Sequence, residues 1–302
     1  MMNRYLIIFL FSFVYSTFSI VAVDTNTNQV GSAGGSCITN SIIISDIHPG
    51  IGVIHTQSYW NQTNQEYASL LMSQGYSPYE IMVLLEENDV QNNPGIRQYG
   101  AVDLYQDNDY GMLYEYECDE LDGAVWYGND TNSLGQCLDP ITSRSASFTG
   151  DNCLDWKGQV NGINYAIQGN ILLNEDILSG IEEAFINMNG PLDQKLMAAL
   201  QGGKVVGADS RCLDEGISTL SAFIRVAKPD DQNNFYMDLN VNSVIPHYNN
   251  TGNWIDPIDT LQVLYNEWYI EDFEFTIGDI NQDHIVNILD IVLIVNFIMT
   301  DY

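Results

Sequence analysis

Two stretches of this 302-residue chain set side chains in arrangements that do chemistry, and the first begins at Thr17. Residues 1–16, MMNRYLIIFLFSFVYS, place one cation, Arg4, ahead of an apolar run and end on Val14-Tyr15-Ser16. Residues of that size at the minus-three and minus-one positions suit a signal peptidase, and such a leader is removed rather than folded. A cut after Ser16 leaves Thr17 as the N-terminus, at the head of TFSIVAVD. A threonine with a free α-amine carries a nucleophile and its base in one residue. That amine titrates near about 8, close enough to neutrality for general-base work on an amide. A cut after Ser19 instead would remove Thr17 altogether.

The second stretch lies near the C-terminus. Asp279, Asn281, Asp283 and Asp290 stand at positions 1, 3, 5 and 12 of a loop, with Ile285 at 7 and Asn287 at 9. Hard oxygen ligands at that spacing, with the Ile285 carbonyl, fit Ca2+, and Asn287 binds directly or through water. Position 6, where such loops favour glycine for a sharp turn, is His284. The pattern D-x-N-x-D-x-I-x-N-x-x-D, followed by ILDIVLIVNFIM, resembles a dockerin type I repeat. A lone repeat leaves Ile291, Val292, Ile294, Val295, Phe297 and Ile298 as an apolar patch. That helix therefore docks on the main domain or takes a cohesin-like partner.

Composition narrows the function classes. Nine Lys and Arg against 40 Asp and Glu give a net charge of -31. No basic stripe exists to neutralise phosphates, which excludes nucleic acid as a partner. An anionic membrane surface would repel the chain as well, and a solvated acidic surface is the simplest reading of most of these carboxylates. The leader's apolar stretch is too short to span a bilayer, so the expected product is secreted or extracytoplasmic, with no membrane contact after cleavage. Five cysteines in an oxidising compartment suggest one or two disulfides. Cys118 and Cys137 bracket a Gly- and Asn-rich insertion and form the first expected pair; Cys37 with Cys212 is the second, leaving Cys153 buried.

The elements that must position Thr17 follow from periodicity. Thr17 to Val23 is β-rich, and Asn26-Thr27-Asn28 turns the chain into a second strand ending near Cys37. IIISDI (42–47) and IGVIHTQ (51–57) continue the strand character, and helical spacing appears in QEYASLLMSQG. Ser77-Pro78-Tyr79-Glu80 reads as a capping box opening a helix to about Asn88. Strands return at 97–104, 145–150 and 163–172, two helices follow over 174–188 and 191–203, then strands at 220–227 and 235–241. Asp256-Pro257 caps a final helix through Tyr269. Two sheets stacked between helical layers bury all of these faces. The expected fold class is α+β, a four-layer αββα sandwich with a small C-terminal calcium-loop helix.

A reactive residue opening the first strand of an αββα layout is the arrangement of N-terminal-nucleophile (Ntn) hydrolases. TFSIVAVD, GVIHTQSYWN, RQYGAVD, FTGDNCLDWKG, NYAIQGNIL and GADSRC, in this order, resemble the family catalogued as domain of unknown function 1028. The resemblance spans about residues 17–270 and implies an Ntn-hydrolase-like fold with no settled substrate. It divides the chain into a leader (1–16), a main domain (17–272) and a dockerin-like repeat (276–302).

Around Thr17 the reading assigns further roles. Asn170, in Gln168-Gly169-Asn170, is the first candidate oxyanion donor, or else caps the turn into the next helix. Arg211 holds a substrate carboxylate with Asp209 orienting it, or the two form a loop ion pair. His55 and Gln57, at alternate strand positions, point to one face, His55 serving the site or serving the core. No lysine precedes Lys157, so Thr17 must rely on its own amine. The leading expectation is an exported amidohydrolase acting on a small amide or peptide-like substrate. The alternatives are a catalytically silent binding module tethered by its tail, and a polysaccharide-associated protein suggested by 18 tyrosines and 5 tryptophans.

Overall fold

The computed structural model describes residues 17–104, 125–127, 144–232, 234–242, 254–272 and 291–292. The leader, the Cys118 and Cys137 pair and the calcium loop from Asp279 to Asp290 all lie outside these residues. What is described is a mixed α+β fold with two antiparallel sheets and five helices.

The first sheet has six strands: β1 (Thr17–Asp24), β2 (Gln29–Ser36), β8 (Gly158–Gly162), β9 (Tyr165–Asn170), β10 (Ser221–Ala227) and β11 (Met237–Asn242). Its order is β11-β10-β2-β1-β9-β8, which puts β1 in the interior between β2 and β9. The second sheet runs β3-β4-β5-β7-β6, from β3 (Ser45–His48), β4 (Gly52–Ser58), β5 (Arg97–Asp103), β7 (Arg144–Thr149) and β6 (Val125–Tyr127). Helices α1 (Gln62–Ser73) and α2 (Pro78–Glu87) pack on the second sheet, and α3 (Asp176–Asn187) and α4 (Leu192–Gly203) on the first. A fifth helix, α5, spans Pro257–Asp272.

Strand periodicity explains how β1 is buried on both faces. Phe18 points toward α3 and α4, where a Cβ on Gly203 would meet both Ile181 and Phe18. Val21 and Val23 point the other way and join Val53, Val102 and Ile47 of the second sheet in one apolar cluster. Ser19 shares that inter-sheet face, which is therefore apolar at one end and polar at the other. α3 and α4 meet at a glycine contact: a Cβ on Gly202 would lie 2.2 Å from the Gly180 carbonyl oxygen, so only glycine lets these backbones come so close.

Local signals place several elements as expected. The Ser77 hydroxyl accepts the Glu80 N–H and the Glu80 carboxylate accepts the Ser77 N–H at 2.8 Å, completing the capping box of α2. Two segments differ from the expectation. Ser41–Ile44 is a 3-10 turn, so the strand expected over 42–47 begins only at Ser45. There the Ser41 N–H donates to Ser221 Oγ of the other sheet, and this tertiary bond overrides the β-branched run. The strand expected over 163–172 is the second half of a hairpin whose first strand is β8.

Cys37 and Cys212 form a disulfide, with their Cα atoms 5.9 Å apart. Cys153 is buried and free; its thiol donates to the Arg97 carbonyl, and burial pushes its pKa up. The chain divides into two compact units, Met1–Leu261 and Gln262–Tyr302. In the second, Ile291 and Val292 are helical and exposed. No helix among the described residues is long and apolar enough to cross a membrane.

Candidate active site

Thr17 is the first residue of β1 and stands directly opposite Asn170, the last residue of β9. Both are fully buried. The Thr17 hydroxyl has no hydrogen-bond partner among the described residues. In the full chain its nitrogen is a peptide amide to Ser16, so a free amine exists only after cleavage.

Amides and hydroxyls from both sheets converge on this pair. The Gln57 side chain, from β4, donates through Nε2 to the Thr17 carbonyl at 3.3 Å and to Gln98 Oε1 at 2.8 Å. Asn170 Nδ2 donates to the same Gln98 oxygen at 3.0 Å. The Ser19 hydroxyl donates to Gln57 Oε1 at 2.7 Å and accepts from Gln168 Nε2 at 2.7 Å. Gln98 Nε2 is held by Thr149 and by the carbonyls of Gly158 and Gly169. Every one of these side chains is uncharged, and each fixes the orientation of the next.

Gly100 makes the crossing possible. A Cβ there would lie 2.0 Å from Gln168 Oε1, so the Gln168 amide occupies the space that any other residue would fill. His55 sits at the edge of the network, its Nδ1 3.2 Å from Gln168 Nε2 and its ring edge-on to Phe223. With Gln168 donating, Nδ1 is the acceptor and the ring proton is on Nε2. Burial, reinforced by the Arg225 charge, pulls its pKa down to about 3. His55 is therefore neutral at physiological pH, with its ring packed against Phe223.

Asp209 and Arg211 form an ion pair, Arg211 Nη2 to Asp209 Oδ2 at 2.9 Å and Nε to Oδ1 at 3.1 Å. Asp209 is fully buried and also accepts the Cys37 N–H at 2.6 Å. Cys37 follows β2, whose Gly35 pairs with Phe18, so the ion pair and the disulfide sit at the sheet end where β1 begins. A bridge between Leu172 and Asp209 ties the same loop to the segment leaving Asn170.

Thr17, Asn170 and the Asp209–Arg211 pair are thus gathered at one sheet end, whereas His55 joins only through Gln168. Strand alternation puts Gln57 on the His55 face, whereas Ser19, Gln98 and Gln168 join the cluster only through the stacking of the two sheets. The available signal was a glutamine or serine inside an otherwise apolar run, as in TFSIVAVD and YAIQGN. Among the described residues, two clefts lie away from this cluster. One, of about 380 Å³, is lined by Asp46, Trp60 and Glu66 among others. The other, of about 150 Å³, is lined by Asp24, Phe185 and Lys195 at the far end of β1. Neither touches the Thr17 cluster, and neither collects groups that suit a reaction as Thr17 and Asn170 do. Among the described residues no group of three or more His, Cys, Asp or Glu side chains could hold a metal ion.

A model for a family of unknown function, DUF1028, matches residues 17–115 and 138–247. The chain belongs to the DUF1028 family. The match opens at Thr17, the residue that opens β1. A solved DUF1028 structure from Silicibacter pomeroyi is 22% identical, with a TM-score of 0.57 over 83% of this chain and 88% of that one. The two DUF1028 chains therefore share a fold. The solved structure of Anbu (ancestral beta-subunit) from Yersinia bercovieri is 13% identical, with a TM-score of 0.34 over 86% of this chain and 97% of that one. A score that low supports no structural conclusion. No curated protein matches the chain.

Proposed function

We propose that this DUF1028 chain is exported, loses residues 1–16, and works as an amidohydrolase with Thr17 as its N-terminal nucleophile. One observation carries the reading. Thr17 begins β1, begins the family match and faces Asn170 with its hydroxyl unpartnered among the described residues. The two sheets, each with a helix pair packed on it, support an αββα Ntn-type arrangement.

The reaction is an acyl transfer. Thr17 Oγ1 attacks the substrate amide carbon while the α-amine accepts the hydroxyl proton. Asn170 Nδ2, already held by Gln98, supplies a preorganised donor to the oxyanion. The C–N bond breaks, the leaving amine takes the proton, and an ester to Thr17 remains. Water then attacks with the amine as base, releasing the acid. His55 is a packing residue in this scheme, and the Asp209–Arg211 pair fixes the loop beside the site. The substrate is a small amide or peptide-like molecule.

The C-terminal loop completes the proposal. Asp279, Asn281, Asp283, Asn287, Asp290 and the Ile285 carbonyl bind Ca2+ and order the helix after them, which docks on the same chain or on a cohesin-like partner.

Intact mass of the exported protein and a Thr17→Ala variant test the nucleophile. The expected results are a mature N-terminus at Thr17 and loss of turnover across an amide panel. Any other N-terminus, or unchanged turnover in the variant, refutes it. The alternative is a silent binding module of the same fold, in which Thr17 is a core residue of β1. A free Thr17 with no turnover on any amide would select it.

A further inference from the structure

The β1–β9 ladder fixes Thr17 within its own sheet, but its carbonyl is also gripped from the opposite one. Gln57 Nε2 donates to that carbonyl at 3.3 Å, the amide's second N–H goes to Gln98, and its oxygen accepts from Ser19 two residues along β1. Gln57 is fully buried and therefore spans β1 from Thr17 to Ser19 like a staple. Both its N–H groups and its oxygen are engaged, so the orientation of the amide is fixed.

The second part of the argument is electrostatic. The ionisable groups of the surrounding strands are committed elsewhere: Arg97 to Asp89, Arg144 to Asp103, and Arg225 to Asp238. Asp24 closes a turn at the far end of β1, and Tyr165 donates to Glu182. His55 is neutral, and Asp209 is neutralised by Arg211. What faces Thr17 from the second sheet is an amide whose Nε2 meets two acceptors, the Thr17 carbonyl and Gln98 Oε1, so a carboxylate there would set oxygen against oxygen.

We infer that Gln57 is the positioning residue of the Thr17 site, holding its main chain from the opposite sheet while keeping the surroundings of the α-amine uncharged. The inference rests on the nucleophile reading. A carboxylate at this position would lose the hydrogen bond to the Thr17 carbonyl and, by its charge, stabilise the ammonium and remove the base; glutamine keeps the bond and adds no charge.

The experiment uses mature protein carrying ¹⁵N-threonine, with Gln57→Glu and Gln57→Met variants, and reads the α-amine titration by NMR beside the melting temperature. Gln57→Glu should raise the amine pKa by about one unit or more, as an opposite charge nearby does. Gln57→Met should leave that pKa in place but lower kcat at least tenfold at unchanged KM on an amide that wild type hydrolyses. A wild-type amine pKa in folded Gln57→Glu overturns the inference. If that variant does not fold, an unchanged kcat in Gln57→Met overturns it. A mature N-terminus other than Thr17 removes the nucleophile reading and this inference together. A free Thr17 whose Thr17→Ala variant is inactive, with either overturning result at Gln57, removes the inference alone.

Discussion

Asn170 pairs with Thr17 at the last rung of the β1–β9 ladder and reaches across to the second sheet, its Nδ2 3.0 Å from Gln98 Oε1. The pairing sets where the side chain starts, and Gln98 sets where its amide points. Asn170→Asp would turn that donor into an oxygen facing an oxygen. Stability should fall by about 1–3 kcal/mol, the cost of an unmet buried polar group. Turnover of any amide substrate should fall about 100- to 1000-fold, as when an oxyanion donor is lost. Urea unfolding and kcat measure the two effects; full turnover in the folded variant would remove Asn170 from the chemistry.

His55 makes stability depend on pH in a defined direction. Its folded pKa, about 3, lies below the ordinary 6.5, so the unfolded chain binds a proton that the folded chain refuses. The His55 contribution is complete above pH 6.5 and is lost as pH falls toward 3. The slope is about 1.4 kcal/mol per pH unit. Between pH 6.5 and 4.5 the wild type should lose about 2–3 kcal/mol more than His55→Gln, read from urea midpoints at both pH values. Equal losses would show that His55 charges without opposition in the fold.

Gly100→Ala should be disproportionately costly for a one-carbon change. The added Cβ would lie 2.0 Å from Gln168 Oε1 and push out an amide bonded to Ser19 and His55. The expected cost is about 1–3 kcal/mol, typical of overpacking. Removing the obstacle with Gln168→Ala should make the double variant less destabilised than the sum of the single ones. Additive costs in urea unfolding would refute the clash.

Calcium should raise the melting temperature of the tail, and Asp279→Ala should abolish the shift by removing the first ligand of the loop. Differential scanning calorimetry with calcium and with a chelator reads this. No shift in the wild type would eliminate the calcium loop.

The outline of the fold was readable where the signal is local. The β1 run, the capping box at Ser77 and the helices at 176–187 and 192–203 all come from patterns within a dozen residues. The Asp209–Arg211 pair was legible for the same reason, its partners being two residues apart. Strand β8, GQVNG, carries no apolar alternation and exists because Gly158 to Gly162 pair with β9. The bond from Gln57 to Thr17 joins residues 40 positions apart on different sheets, which no periodicity encodes. The place of Thr17 at the head of β1 was thus written in sequence, whereas the hydrogen-bonded lining around this candidate site is a product of sheet stacking.

The Cys37–Cys212 bond has a topological consequence. It joins positions 175 residues apart, so the backbone from 37 to 212 is a closed covalent ring with two tails. One protease nick anywhere inside that ring frees no fragment. On a gel without reductant the nicked protein would keep its full mass, and only after reduction would it separate into two pieces. An N-terminal piece carrying Thr17 would then travel with its partner strand β9 through any purification, linked by sulfur even after the peptide between them had been cut.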